Sequence, residues 1–215
     1  YWEEALRRDP LDARCNNALG QWHLRRGEFM EAEARFRKAI ERLTRRNANP
    51  YDGEAYYNLG LCLRHLFRDD DAYDAFYKAT WNQAWASASY HCLAEIDCAR
   101  RDWNTALEHL NRSLRLDADN LRARNLKVQV LRKLGLTREA SELLQETLRV
   151  DCLDWWARHL GNENDTCDLQ ARLDVAHDYA RAGFHAEAIE LVASVAQVSK
   201  PAVSQVFNLR RAGWS

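Results

Sequence analysis

One pattern of small and large side chains returns along most of this chain, and it constrains the fold more than any other feature. Ala32, Ala72, Ala106 and Ala140 are each followed four residues later by Phe36, Phe76, Leu110 or Leu144, and three residues further by Ala39, Ala79, Ser113 or Thr147. Steps of four and three keep these positions on one face of an α-helix. A pair ending in a small residue precedes the first three anchors, as Leu19-Gly20, Leu59-Gly60 and Leu93-Ala94, whereas Lys127-Val128 stands there in the fourth unit and Val175-Ala176 in the fifth. Successive anchors stand 40, 34 and 34 residues apart, and a fifth unit at Ala188 follows after 48. Each unit reads as two helices whose small residues let the backbones approach while the Phe or Leu fills the gap. A single unit of that kind cannot bury its apolar face, so the units must stack.

Composition agrees with helix throughout. Three prolines and eight glycines are few for 215 residues, Ala, Leu, Arg and Glu are abundant, and no strand-like alternation stands out. The fold class read from the sequence is all-α.

A 34-residue period with Leu-Gly or Leu-Ala on one helix and Ala-x-x-x-Phe-x-x-Ala on the next resembles the tetratricopeptide repeat family. The resemblance implies an α-α superhelix, a solenoid of about five helix-turn-helix units with partial ones at its ends. The expected organisation is a single array over 1–215. Residues 1–11 end a preceding repeat, because Ala5 lies 34 before Ala39 and Pro10 falls at the family's terminal proline. Repeats follow over 13–46, 53–86, 87–120, 121–152 and 169–199, with an insertion over 153–168 and a capping or partial helix over 200–215. The interval of 40 places about six extra residues in "TRRNANPYDG", a loop between Thr44 and Gly53. The interval of 48 places its surplus in "CLDWWARHLGNENDTC", read as a short helix over Trp155 to Leu160 and a polar loop. On this register Ala5 and the missing initiator Met imply that the chain begins inside a repeat of a longer protein.

The resemblance also implies a concave wall lined by fixed positions of each first helix. Those positions hold Asn17 and Gln21, then Tyr57, Asn58 and Arg64, then His91 and Glu95, then Arg122, Asn125 and Gln129. Amides offer donor and acceptor together, so such a wall suits an extended peptide or a loop of a neighbouring domain. Asn58 and Asn125 are expected to stand there as exposed amides whose removal leaves folding nearly intact. The family's clamp for an acidic chaperone tail needs cations that are absent here: Asn17, Gln21, Ala88 and Cys92 occupy its other positions and only Asn58 matches. The expected partner is a protein or peptide, including the upstream domain of the same polypeptide.

Other function classes find little support. Thirty-one basic against 32 acidic side chains give a net charge of −1, so no whole-chain field draws in nucleic acid or an anionic membrane. No apolar run approaches the ~20 residues needed to span a bilayer. Phosphate-binding loops, His-Glu-x-x-His and nucleophile elbows are absent, and no enzyme or cofactor is expected. Cys15, Cys62, Cys92, Cys98, Cys152 and Cys167 are scattered without a Cys-x-x-Cys pair, which reads as reduced thiols of a cytoplasmic protein and not as zinc ligands.

The stretch from Tyr77 to Trp103 carries three tryptophans, two tyrosines, a histidine and two cysteines. In the repeat register Trp81, Trp85, Tyr90 and Trp103 fall at the seam between units, where large rings pack. The alternative is an accessory module of a carbohydrate-active enzyme, with Trp81, Trp85, Tyr57 and His91 touching sugar. Beyond the repeat itself, "NPYDGEAYYNLGLCLR" and "LDWWARH" resemble the C-terminal repeat region of large bacterial proteins with a β-rich N-terminal domain, which implies a non-catalytic interaction scaffold. The register makes one prediction directly: Ala106→Phe overpacks a close helix contact and costs about 1–3 kcal/mol, read as a lowered thermal midpoint.

Overall fold

The structure, a computed structural model, describes residues 2–163 and 168–193. Among them every regular element is an α-helix: α1 Trp2–Arg8, α2 Ala13–Arg25, α3 Phe29–Thr44, α4 Glu54–His65, α5 Asp69–Ala79, α6 Gln83–Ala99, α7 Trp103–Leu116, α8 Leu121–Lys133, α9 Thr137–Val150, α10 Trp155–Leu160, α11 Leu169–Arg181 and α12 over 185–193. The short helix expected in the second insertion is α10. The capping or partial helix expected over 200–215 lies outside the described residues. The chain divides into two compact units, 1–96 with 104–123, and 97–103 with 124–215.

The anchor positions are where the helices meet. Ala32, Ala72 and Ala106 are fully buried, as are Phe36, Phe76 and Leu110, and then Ala39, Ala79 and Ser113. In the first unit a side chain at Gly20 or Gly60 would put its Cβ 2.5 Å from Phe36 Cε1 or 2.6 Å from Phe76 Cε1. Contact that close is only open to glycine, so each Phe ring packs directly on bare backbone. Where a hydroxyl replaces the third alanine it finds a partner. Ser113 Oγ donates to the Ser87 carbonyl at 2.9 Å, and Thr147 Oγ1 to the Leu143 carbonyl at 2.8 Å. The conversion of a small apolar position to a hydroxyl is therefore tolerated without an orphaned polar group.

The turns between paired helices repeat with the same period. After α2, α4, α6, α8 and α11 the chain passes through a left-handed residue, at Gly27, Phe67, Arg101, Gly135 and Gly183. Each lies five residues before its anchor. In every case the next amide reaches back to the helix, as in Glu28 N to His23 O at 3.0 Å and Arg68 N to Leu63 O at 3.0 Å. This is the Schellman arrangement, and glycine suits it because a Cβ is strained at positive φ. Phe67 takes the strain at φ 57° with its side chain 94% exposed, so no packing compensates. Phe67→Gly is predicted to raise stability by about 1 kcal/mol, and Gly27→Ala to lower it by a similar amount. Thermal melts of the two variants should move in opposite directions, and a loss of stability in Phe67→Gly would show that the ring contributes something the turn geometry omits.

Candidate functional site

In the first unit the predicted wall positions of α2 and α4 face one another. Gln21 Nε2 donates to Glu54 Oε1 at 2.6 Å, and Asn58 Nδ2 donates to Asn17 Oδ1 at 3.0 Å. Asn17 and Asn58 are both buried, so their amides join one helix to the next. Arg64 is turned aside, its Nε 3.1 Å from Asp69 Oδ1 at the start of α5. Tyr57 is stacked on Trp85, ring centroids 4.9 Å apart. Further along, His91 and Glu95 are buried on α6, while Arg122, at the start of α8, is exposed.

In the second unit Asn125 and Gln129 meet neighbours, not solvent. Asn125 is 1% exposed and its Nδ2 donates to Asp154 Oδ2 at 2.7 Å. Asp154 caps α10 with its other oxygen, which accepts from Trp156 N and Ala157 N. Gln129 Nε2 donates to the Tyr179 hydroxyl at 2.8 Å, and Arg132 donates to the Leu160 carbonyl at 2.9 Å. Trp156 completes the contact edge-on to Tyr179 at 5.3 Å. Burial holds the Tyr179 hydroxyl above the usual tyrosine range. The wall positions Asn125 and Gln129 of α8, and Arg132 three residues on, are thus bound by the α10 insertion and α11. The expectation of exposed amides at Asn58 and Asn125 is corrected at both sites: each is buried because an adjacent element supplies a hydrogen-bonding partner.

The aromatic stretch splits. Trp85, Tyr90 and Trp103 are partly buried, Tyr90 over His109 at 5.8 Å and Trp103 over Phe184 at 5.8 Å. Trp81 departs from the seam expectation, being 55% exposed, with the Lys78 ammonium 5.5 Å from its ring. It sits in the turn between α5 and α6, beyond the last buried position of α5. Tyr57, Trp85 and His91 do not join it in one exposed sugar platform, because the first two pack on each other and the third is buried.

Sequence spacing also missed a cluster within one helix. His91, Cys92 and Glu95 bring their nitrogen, sulfur and oxygen ligand atoms within 4.8 Å of one another, all three buried. These donor types suit a borderline-soft divalent ion, and three fall one short of a closed tetrahedral site. A search for cysteine pairs overlooks a set with one cysteine. Cys15, Cys62, Cys92 and Cys98 are buried free thiols and Cys152 an exposed one; Cys167 lies outside the described residues. Burial, reinforced by the Glu33 charge, pushes the Cys62 thiol up to about 11.

The open part of the first unit lies at its N-terminal end. A cavity of about 670 Å³ is bounded by Asn17 and Gln21 of α2, Glu54 of α4, and the rings of Trp2 and Tyr51. Asp12 shapes this edge by capping α2, accepting from Cys15 N at 2.7 Å, a bond that holds its carboxyl below the usual range. Tyr51 belongs to the loop that the interval of 40 had marked, and that interval was the available signal for it.

Residues 1–42 and 23–89 each match the tetratricopeptide repeat family model. Among solved structures the chain is similar to MamA, with a TM-score of 0.62 and 20% identity over 70% of this chain and 84% of that one. It is similar to YrrB, a TPR protein with an unusual peptide-binding site, with a TM-score of 0.58 and 19% identity over 88% of each chain. It is also similar to pilF of Pseudomonas aeruginosa, with a TM-score of 0.56 and 17% identity over 88% of this chain and 77% of that one. At such identities the likeness is one of fold: this is an all-α tetratricopeptide-repeat solenoid.

The buried amides carry a prediction opposite to the one made for exposed groups. Asn58→Ala leaves Asn17 Oδ1 without its donor, and Asn125→Ala removes a charge-assisted bond to Asp154; each is expected to cost about 1–3 kcal/mol in urea unfolding. Loss of α10 protection from hydrogen exchange should accompany the second variant alone.

Proposed function

We propose that this tetratricopeptide-repeat chain is a non-catalytic scaffold for protein–protein interaction, and that its first unit holds a peptide in the cleft beside α2 and α4. The observation that carries this reading is the 670 Å³ cavity, lined by the wall amides Asn17 and Gln21, the carboxylates of Asp12, Asp52 and Glu54, and the rings of Trp2 and Tyr51. Such a lining offers donors and acceptors for a peptide backbone and apolar faces for its side chains. The wall of α8 is a poorer candidate, since α10 and α11 cover Asn125, Gln129 and Arg132, whereas Gln21 and Glu54, though bonded to each other, still line an open cavity. That YrrB, a protein of the same fold, has a peptide-binding site supports the reading by analogy.

The wider setting belongs to the same proposal. The chain acts in the cytoplasm as the C-terminal part of a larger bacterial protein, and the peptide is a segment of that protein's upstream domain or of a separate partner. Four buried free thiols are in keeping with a reducing compartment, and no helix among the described residues is long and apolar enough to cross a membrane.

Panning a random peptide library on the chain, followed by hydrogen exchange with a recovered peptide, tests the assignment. Protection is expected in α2 and the start of α4, with Gln21→Ala weakening binding by about tenfold, the scale of one good hydrogen bond. Protection confined to α8–α11, or recovery of no peptide, would overturn it.

A further inference from the structure

The first departure from the 34-residue period has a chemistry of its own. The extra residues between α3 and α4 close a second cavity, of about 590 Å³, against the ends of α1, α2 and α3. Four arginines, Arg14, Arg42, Arg45 and Arg46, bound it together with Asp9, Asp12 and the ring of Tyr51.

Both carboxylates are already committed. Asp12 caps α2 through Cys15 N, and Asp9 accepts from Leu11 N at 3.1 Å while its other oxygen lies 3.5 Å from Arg42. Among the described residues Arg14, Arg45 and Arg46 form no ion pair. Four guanidinium groups against two carboxylates around one concavity are a local surplus of positive charge in a chain whose net charge is −1. The guanidinium fork pairs with a carboxylate through two parallel hydrogen bonds, which a point-like ammonium cannot do.

The loop is held in place. Asn49 N donates to Asn47 Oδ1 at 3.0 Å, the Tyr51 carbonyl accepts from Asn82 Nδ2, and Glu54 N donates to Asp52 Oδ1 at 2.9 Å. Tyr51 is 81% exposed and borders both this cavity and the one beside Asn17 and Gln21, as do Asp12 and Arg14. The two are neighbouring parts of one cleft, aromatic and amide-lined at one end and arginine-lined at the other.

We propose that the arginine pocket of the inserted loop takes the Asp or Glu side chains of an acidic peptide lying in the adjoining cavity. This rests on the reading of that cavity as a peptide site. The positions differ from those of the acidic-tail clamp considered above, which fall on the first helices, whereas Arg45 and Arg46 lie in the connection. An anionic membrane or a nucleic acid strand is a poorer fit. Either presents an extended array of negative charge, which the carboxylates of Asp52 and Glu54 on the adjoining cavity would oppose, whereas a peptide can place its acidic side chains at the arginine end alone.

The test compares three forms of the chain, wild type, Arg45→Ser/Arg46→Ser and Arg45→Glu/Arg46→Glu, each panned against the same random peptide library. Both arginines are exposed loop residues, so all three should melt alike. Acidic residues should be enriched in peptides recovered by wild type, lose that enrichment with the serine variant and give way to Lys and Arg with the glutamate variant. A labelled wild-type-selected peptide should bind the serine variant about tenfold or more weakly, on the scale of one lost charge-assisted pair, and should weaken with added salt. Peptides recovered without acidic enrichment, or with the same composition by all three forms, would overturn the arginine pocket and leave the peptide cleft standing. Recovery of no peptide by any form would remove both.

Discussion

The close contact of an aromatic ring with bare helix backbone is the interaction on which the rest of this fold depends. Phe36 over Gly20 and Phe76 over Gly60 leave no room for even one methyl group, and the alanines four residues before and three residues after each ring, Ala32 and Ala39, Ala72 and Ala79, are equally enclosed. Close packing of this kind sets the separation of paired helices, and with it the positions at which the next pair must dock. It also explains why the third anchor row can drift to Ser113 and Thr147 while remaining buried: a hydroxyl fits the alanine space and bonds a nearby carbonyl. Volume is conserved more strictly than polarity.

Much of the helical architecture was legible because it follows from local spacing. The anchors Ala32, Ala72, Ala106 and Ala140 are buried as their register requires, and α10 spans the residues read as a short helix from "LDWWARH". Side-chain partners were less legible. Position alone marks Asn17, Asn58 and Asn125 as wall residues, yet their exposure depends on what another element brings within hydrogen-bond reach. Asn58 finds Asn17, 41 residues away, and Asn125 finds Asp154, 29 residues away in an insertion that no repeat template contains. Trp81 failed for a related reason. It lies in a turn, where the helical register that sorts inward from outward positions no longer applies.

The two insertions have opposite consequences within their own units. In the second unit the residues after α9 form α10 and return to α8, taking up Asn125 and Arg132. In the first unit the residues after α3 form a loop whose two arginines, Arg45 and Arg46, make no ion pair among the described residues and which borders two cavities. Length alone does not separate these outcomes; composition does. The second insertion opens with "CLDWWARHL", apolar and aromatic enough to bury a face, whereas "RRNANPYDG" has little to bury and strong turn formers.

That contrast bears on where function can reside in a repeat chain. Positions inside the period are constrained by the seam: they must fit a ring, present a small residue or satisfy a buried amide, and a change there is felt as lost stability. The loop residues of the first insertion carry no such duty. Arg45, Arg46 and Tyr51 make little of the core, so their charge and exposure are free to be shaped by a partner. The cleft beside α2 takes its rigidity from the repeat and its chemical character from the loop, so altering the loop changes what is recognised without unmaking the helices that hold it.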